Sequence, residues 1–133
     1  MIELLLKIFF VIKTENKKYD AVWFMPELDR KTLYDRINAR VDIMMEMGLY
    51  QEFQRNMERY PSSLVIKNTI GYREFIENED INVAVEKIKQ HTRNFAKRQM
   101  TWFRGMERRG FAINWIKWDV SGDEFVRQVL ALQ

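Results

Sequence analysis

Cysteine is absent from this chain of 133 residues, and histidine occurs once, as His91. The absence of cysteine excludes disulfides, zinc–thiolate sites and thiol nucleophiles, and it agrees with a reducing cytosolic setting. One histidine cannot build a metal site, and no acidic residue lies three or four positions from it, so we interpret His91 as structural. The remaining composition, 47% apolar and 31% charged residues, is typical of one folded domain with a core.

Long hydrophobic runs are absent as well. The apolar segment Met1–Lys13 is shorter than the roughly 20 residues that a membrane-spanning helix needs, and Glu3 and Lys7 do not fit a secretory signal. We interpret it as a core helix, the last helix of a larger unit. The run Tyr19–Met25, which ends at Pro26, predicts a strand for which the rest of the chain offers few pairing partners.

The rest of the chain is predicted to be mainly helical, with one or two strands in total. Capping residues, glycines and prolines mark the boundaries of the predicted elements. The expected order is a helix from the N-cap Asp29 to Met47, a helix over 49–60, a loop over 62–67, a short helical piece over 68–79, a long helix from Asp80 or Asn82 to about Met106, a strand over 113–119, and a last helix capped by Ser121.

The long helix is predicted to have one apolar face and one cationic face. From Lys87 to Arg109 the only acidic residue is Glu107, and such a face of one sign attracts phosphate. An ordinary solvated surface is the alternative interpretation. At 100° per residue the apolar arc contains Ile81, Val85, Ile88, Thr92, Phe95, Gln99, Trp102 and Phe103, the opposite side contains Arg93, Lys97, Arg104 and Arg108, and Lys87 and Arg98 lie on the flank.

Two polar residues, Thr92 and Gln99, fall within the apolar arc of that helix. A polar side chain that points inward must find a hydrogen-bond partner, so these two either line a channel or are satisfied within the core.

Three motifs in order resemble the tRNA dimethylallyltransferase family, also called tRNA isopentenylpyrophosphate transferases. They are RINARVDIMMEMGLYQE (36–52), NTIGYREF (68–75) and IKQHTRNFAKRQMTWFR (88–104), and the later NWIKWD resembles a segment that commonly follows in these enzymes. The resemblance implies transfer of a dimethylallyl group to the exocyclic amine of the adenine 3′ of the anticodon. It also implies a mainly α fold: residues 1–28 as the remnant of a P-loop α/β domain, with a helix and an unpartnered strand, and residues 29–133 as a helical tRNA-binding and channel region.

The phosphate-binding loop of that family, G-x-x-x-x-G-K-[ST], does not occur in this sequence. The resemblance places the catalytic aspartate and the loop threonine in the same missing half, so we assign no catalytic residue to this chain and interpret it as a C-terminal fragment. Mg²⁺ and dimethylallyl diphosphate belong to the full-length family, and we expect neither to bind the isolated chain, which we expect to be inactive.

By resemblance, two segments of the chain contact the anticodon arm of tRNA, and Arg40 faces the channel and binds diphosphate. A surface arginine paired with a carboxylate is the alternative for Arg40. Asn68 stands where some members carry a basic residue, which weakens the phosphate contact expected there. The implied tRNA-binding residues are Asn68, Thr69, Ile70, Gly71, Tyr72, Arg73, Lys97, Arg98, Gln99, Met100, Thr101, Trp102, Phe103 and Arg104.

Two alternatives to a transferase fragment stay open at this point. One is a stand-alone helical RNA-binding module, and the other is a protein-interaction module that self-associates through its N-terminal helix and unpartnered strand. We expect the protein to be cytoplasmic and not to bind membranes.

Overall fold

The computed structural model describes residues 23–117 and 122–131. These residues are mainly helical and contain one small sheet, which confirms the predicted fold class. The predicted helix over Met1–Lys13 and the cap at Ser121 lie outside the described residues. The elements are β1 (Trp23–Glu27), α1 (Arg30–Glu46), α2 (Leu49–Arg59), α3 (Leu64–Asn68), α4 (Arg73–Glu77), α5 (Ile81–Arg108), β2 (Ile113–Lys117) and α6 (Gly122–Leu130).

Side-chain caps set the starts of the two longest helices, as the sequence predicts. The Asp29 carboxylate accepts a hydrogen bond from the Thr32 N–H at 2.9 Å, and bonding to Thr32 holds the pKa of Asp29 below its ordinary value. Asp80 accepts from the Asn82 N–H at 2.8 Å at the start of α5. After α1 the chain turns at Gly48, whose φ of 92° favours glycine.

The prediction of a loop over residues 62–67 is wrong, because helix α3 occupies most of that stretch. Ser63 caps this helix by accepting from the Ile66 N–H at 3.4 Å, and the Ile66 side chain is buried in the core. A five-residue helix carries too little periodicity to be distinguished from a loop in the sequence. The helical piece predicted over 68–79 is shorter than expected and is limited to α4.

Strand β1 pairs in parallel with β2, with Trp23 opposite Ile113 and Glu27 opposite Lys117. This pairing corrects the expectation of an unpartnered strand. The strand also continues through Pro26, where the sequence predicts its end. Proline lacks a backbone N–H, but it is tolerated in an edge strand, and among the described residues the sheet has two strands, both of which are edges.

Helix α5 connects the two hydrophobic clusters of the described residues. Its first half contributes Ala84 and Ile88 to a cluster with α1, α2, α3 and α4, and its second half contributes Phe103 and Met106 to a cluster with Met25 of β1. With 28 residues the helix is roughly 40 Å long, enough to reach from one cluster to the other. In the described ranges, no helix has the length and apolar character needed to cross a membrane.

Helices α1 and α5 pack antiparallel, with polar contacts at two successive turns. Arg93 Nη1 donates to Asn38 Oδ1 at 2.6 Å, and Lys89 Nζ lies 2.8 Å from a carboxylate oxygen of Asp42. These contacts fix the side of α5 that faces α1, and so determine which cations of the long helix stay exposed.

Candidate nucleic-acid interface

The second half of α5 is anchored by its apolar side. Phe103 is 3% exposed and Met106 is fully buried, and both pack against Met25 of β1. The rings of Trp102 and Phe103 make an edge-to-face contact with centroids 4.9 Å apart. The helix is therefore held against the sheet on one side, and among the described residues its opposite side is left for solvent or a partner.

Four cations follow that opposite side and its flank, and we call them the basic ridge: Lys97, Arg98, Arg104 and Arg108. All four side chains are exposed. Within the described part of the chain, none of them forms a hydrogen bond or an ion pair with a carboxylate. Lys97, Arg104 and Arg108 recur at spacings of seven and four residues, so they line one face over roughly 16 Å.

The predicted cationic face is narrower than expected, because Arg93 does not belong to it. Its guanidinium is half-buried and donates to Asn38 of α1. Lys87, predicted on the flank, donates to Asn78 Oδ1 at 2.7 Å. On the apolar side the prediction was also too broad, since Ile81 is 39% exposed at the first turn of the helix.

A cleft of about 190 Å³ lies where α5 meets the sheet. Arg104 and Met100 line it from α5, and Glu27 lines it from the end of β1. Trp115 of β2 also lines it and donates its indole N–H to Glu107 at 2.5 Å. Two of the predicted tRNA-binding residues therefore meet at one concave, polar site.

The other predicted segment forms the loop between α3 and α4. Gly71 has a φ of 103°, in the region that favours glycine, and an added Cβ would meet no atom within 4 Å. Conformation, and not lack of space, therefore favours glycine at this position.

Tyr72 is buried, contrary to what stacking on an RNA base would need. Its ring packs against Phe53 with centroids 5.9 Å apart. Its hydroxyl donates to Glu52 and accepts from Asn56 Nδ2, the latter at 3.0 Å. Burial and the bond to Glu52 raise the pKa of Tyr72. These contacts tie the loop to α2 and make Tyr72 an anchor.

Glu74 is the functional candidate that the sequence reasoning missed, and it is the one charged residue among the fully buried side chains of the described chain. One carboxylate oxygen accepts from the Gly71 N–H at 2.7 Å, and the other lies 2.6 Å from His91 Nδ1 and 3.2 Å from Arg73 Nη2. The spacing Gly71-x-x-Glu74 is that of a capping box, in which a glutamate reaches back to an N–H three residues earlier, and this spacing is the signal that sequence reasoning could have used.

The charge state of Glu74 follows from these contacts. Burial raises the pKa of the carboxyl, but the bonds from His91 and from the Gly71 N–H, with the charge of Arg73, outweigh burial and hold the pKa below its ordinary value. An ionised carboxylate only accepts, so His91 Nδ1 carries the hydrogen of their bond. The interpretation of His91 as structural agrees with this contact.

The polar residues on and near the predicted tRNA-binding segments differ in whether their side chains form hydrogen bonds with their own helices. The Thr92 hydroxyl donates to the Ile88 carbonyl at 2.7 Å, which supports the satisfied-hydroxyl alternative, whereas Gln99 is half-buried. Asn68 Nδ2 donates to the Leu64 carbonyl at 2.8 Å, and the Thr69 hydroxyl donates to the Val65 carbonyl at 2.6 Å. Ile70 is half-buried and Thr101 is exposed.

Arg40 lies apart from the basic ridge. It is exposed on α1, two residues from both Asn38 and Asp42, which contact α5. Two residues correspond to about 200° around a helix, so Arg40 projects from the side of α1 away from α5. Among the described ion pairs none includes Arg40, so its alternative as a paired surface arginine finds no support there.

Comparison with known proteins relates this arrangement to one family. The model described as IPP transferase matches residues 7–106. The tRNA dimethylallyltransferase of Staphylococcus carnosus is 50% identical over 95 residues, which cover 68% of this chain and 29% of that protein. That of Staphylococcus aureus strain JH9 is 43% identical over 110 residues, which cover 77% of this chain and 32% of that protein.

Two solved structures share the fold. The tRNA delta(2)-isopentenylpyrophosphate transferase of Staphylococcus epidermidis aligns with a TM-score of 0.71 and 36% identity, over 87% of this chain and 39% of that one. The full-length tRNA isopentenylpyrophosphate transferase of Bacillus halodurans aligns with a TM-score of 0.74 and 29% identity, over 98% of this chain and 43% of that one.

The relatives and the solved structures are, by name, transferases of prenyl groups to tRNA, and this sets the class of protein to which the fold is related. Because the family model covers most of the sequence, the chain belongs to the IPP transferase family. This confirms the resemblance predicted from the three motifs. The chain spans less than a third of the length of these two curated relatives.

Proposed function

We propose that this chain is part of a tRNA dimethylallyltransferase and supplies the grip on the anticodon arm together with part of the channel wall. The observation that carries the proposal is the basic ridge. Lys97, Arg98, Arg104 and Arg108 are exposed, and the described structure gives them no carboxylate partner. When exposed, unpaired lysine and arginine groups neutralise phosphates, they release counterions from the RNA, and this release favours binding.

The ridge and the cleft have distinct proposed roles. Lys97 and Arg98 are proposed to contact backbone phosphates of the RNA hairpin and to fix its orientation. Arg104 lies at the rim of the cleft with Met100 and Trp115, where an unstacked base has an apolar surface to contact while the Arg104 guanidinium neutralises the phosphate of the same nucleotide. Extrusion of the adenine is needed because its amine is otherwise hidden in the stack of the loop.

The chemistry of transfer is proposed to require the rest of the enzyme. The donor would be dimethylallyl diphosphate, and Arg40, which is exposed, is the candidate in this chain for contacting its diphosphate. In residues 23–117 and 122–131 no three His, Asp or Glu side chains converge closely enough to bind a metal ion. We therefore assign no metal ligand and no metal-dependent step to the described residues. A cytoplasmic location agrees with the absence of cysteine.

The proposal is tested by measuring the affinity of the chain for a synthetic anticodon hairpin that carries an unmodified adenine 3′ of the anticodon. We expect Arg98→Ala and Arg104→Ala each to weaken binding about threefold to tenfold, which is about 0.6–1.4 kcal/mol and lies in the range for one typical hydrogen bond. Arg59→Ala is the matched control, because Arg59 is an exposed arginine on α2 that lies outside the proposed interface. It should change the affinity less than twofold.

Equal losses in all three variants would show a diffuse effect of net charge and would contradict a specific ridge. No loss in Arg98→Ala and Arg104→Ala would remove these residues from the interface. No binding by the unaltered chain would overturn the proposed function itself.

A further inference from the structure

The loop between α3 and α4 is held on both sides by side chains of other helices. On one side, Tyr72 bonds to Glu52 and Asn56 of α2. On the other side, Glu74 bonds to His91 of α5. The loop therefore has a conformation imposed by the core, although its own residues form no regular structure between Thr69 and Tyr72.

The second side is a double connection between α4 and α5. His91 contacts the Glu74 side chain, and one turn earlier on α5 Lys87 donates to Asn78, whose own amide donates to the Glu74 carbonyl at 2.7 Å. The pairs 74 and 78, and 87 and 91, are each four residues apart, so the two contacts lie on facing sides of the two helices. Glu74 is thus fixed through both its backbone and its side chain.

Glu74 in turn fixes two groups of the loop segment that is expected to contact RNA. Its Oε2 accepts from the Gly71 N–H, which holds the backbone at a φ of 103°. Its Oε1 lies 3.2 Å from Arg73 Nη2, and that guanidinium is 35% exposed. Arg73 Nε lies 3.8 Å from Glu77 Oε1 and makes no hydrogen bond among the described residues. Arg73 Nη2 also lies 3.1 Å from His91 Nδ1, so the position of the Arg73 charge depends on Glu74 and His91 together.

We propose that Glu74 is a positioning residue for RNA binding: supported by His91, it presets the Gly71 backbone and the Arg73 guanidinium in the conformation that contacts the anticodon arm. This rests on the proposed function. Glu74 is fully buried and so cannot itself contact RNA, but a loop that is already ordered loses less entropy when it binds. This role explains why a buried, ionised glutamate occurs in a protein that is proposed to bind a polyanion: Glu74 holds the Gly71 backbone and the Arg73 guanidinium in place.

The sign of the charge change makes the test decisive. Glu74→Gln removes one negative charge and keeps the shape of the side chain, so electrostatics alone would strengthen RNA binding. We expect the opposite, an affinity for the unmodified anticodon hairpin about threefold to tenfold weaker, because the loop and Arg73 lose their preset position. The matched control is Glu79→Gln, which makes the same charge change at an exposed residue with no hydrogen bond or ion pair in the described structure. It should bind equally or slightly more tightly.

Two further measurements separate positioning from general stability. Binding is measured at a temperature at which circular dichroism shows each variant to be folded, and hydrogen exchange of the Gly71 amide should be faster in Glu74→Gln than in Glu79→Gln. If Glu74→Gln does not fold, the His91 variants carry the test. His91→Ala should weaken RNA binding, and His91→Asn, whose amide nitrogen occupies the place of Nδ1, should restore it.

The outcomes distinguish this proposal from the proposed function. If Arg98→Ala and Arg104→Ala weaken binding and Glu74→Gln binds as tightly as Glu79→Gln, the positioning role is wrong and the RNA interface stands. Equal affinities of His91→Ala and His91→Asn would also overturn it. If the unaltered chain does not bind the hairpin, both proposals are overturned.

Discussion

Replacement of Phe103 by alanine should destabilise the protein more than any surface change on α5. The side chain is 3% exposed, and burial of a phenylalanine contributes about 1.5–3 kcal/mol. The edge-to-face contact with Trp102, at 4.9 Å between centroids, adds about 0.5–1.5 kcal/mol. With the cavity that alanine leaves beside Met25 and Met106, the expected loss is about 3–5 kcal/mol in the free energy of unfolding.

The assay is urea unfolding followed by far-ultraviolet circular dichroism, with Phe111→Ala as the control. Phe111 is 46% exposed just after the same helix, so its replacement should cost less than about 1 kcal/mol. A loss below about 1 kcal/mol for Phe103→Ala, or equal losses for the two variants, would show that the second half of α5 is not anchored to the sheet through this side.

Three further predictions concern the loop, acid stability and catalysis. Gly71→Ala should lower the free energy of unfolding by about 1–3 kcal/mol in urea titrations, through backbone strain alone, because a Cβ there meets no atom within 4 Å; no loss would mean that the loop does not need a positive φ. The pKa of Glu74 lies below its ordinary value of 4.5, so the stability that the ionised carboxylate contributes should be complete above that pH and decline as pH falls further. Glu74→Gln should therefore flatten the fall of the free energy of unfolding at acidic pH. The same fall in both proteins would contradict an ionised Glu74. The chain alone should transfer no labelled dimethylallyl group to unmodified tRNA, because its sequence contains no G-x-x-x-x-G-K-[ST] loop, and measurable turnover would contradict this.

Helix boundaries were predictable because the signals that set them are local. Asp29 caps α1 as the sequence predicts, and of the two predicted candidates for α5, Asp80 and Asn82, Asp80 is the cap. The antiparallel contact of these helices follows once both exist. Helix α3 was missed because five residues hold too little pattern. The pairing of β1 with β2 joins residues that are 90 positions apart, such as Trp23 and Ile113, and no local signal reports such a pair.

In the candidate nucleic-acid interface, too, local features were predictable from the sequence and features that depend on distant contacts were not. The spacing of the basic ridge follows from the helical period, and the structure leaves those cations exposed as that period predicts. Arg93 was misplaced because its exposure is decided by Asn38 on another helix, 55 residues earlier. Glu74 and Tyr72 acquire their roles from contacts with α5 and α2, and both side chains are buried. No local pattern in the sequence reports these contacts.

The central claim is that the basic ridge binds RNA through its phosphates, and the salt dependence of hairpin affinity tests it most directly. If all four cations of the ridge neutralise phosphates, the affinity at 200 mM salt should be roughly 50- to 150-fold weaker than at 50 mM. In a plot of log affinity against log salt concentration, Arg104→Ala should reduce the slope by about the share of one phosphate contact. An affinity that does not change with salt, as association through an apolar surface would give, would contradict the account.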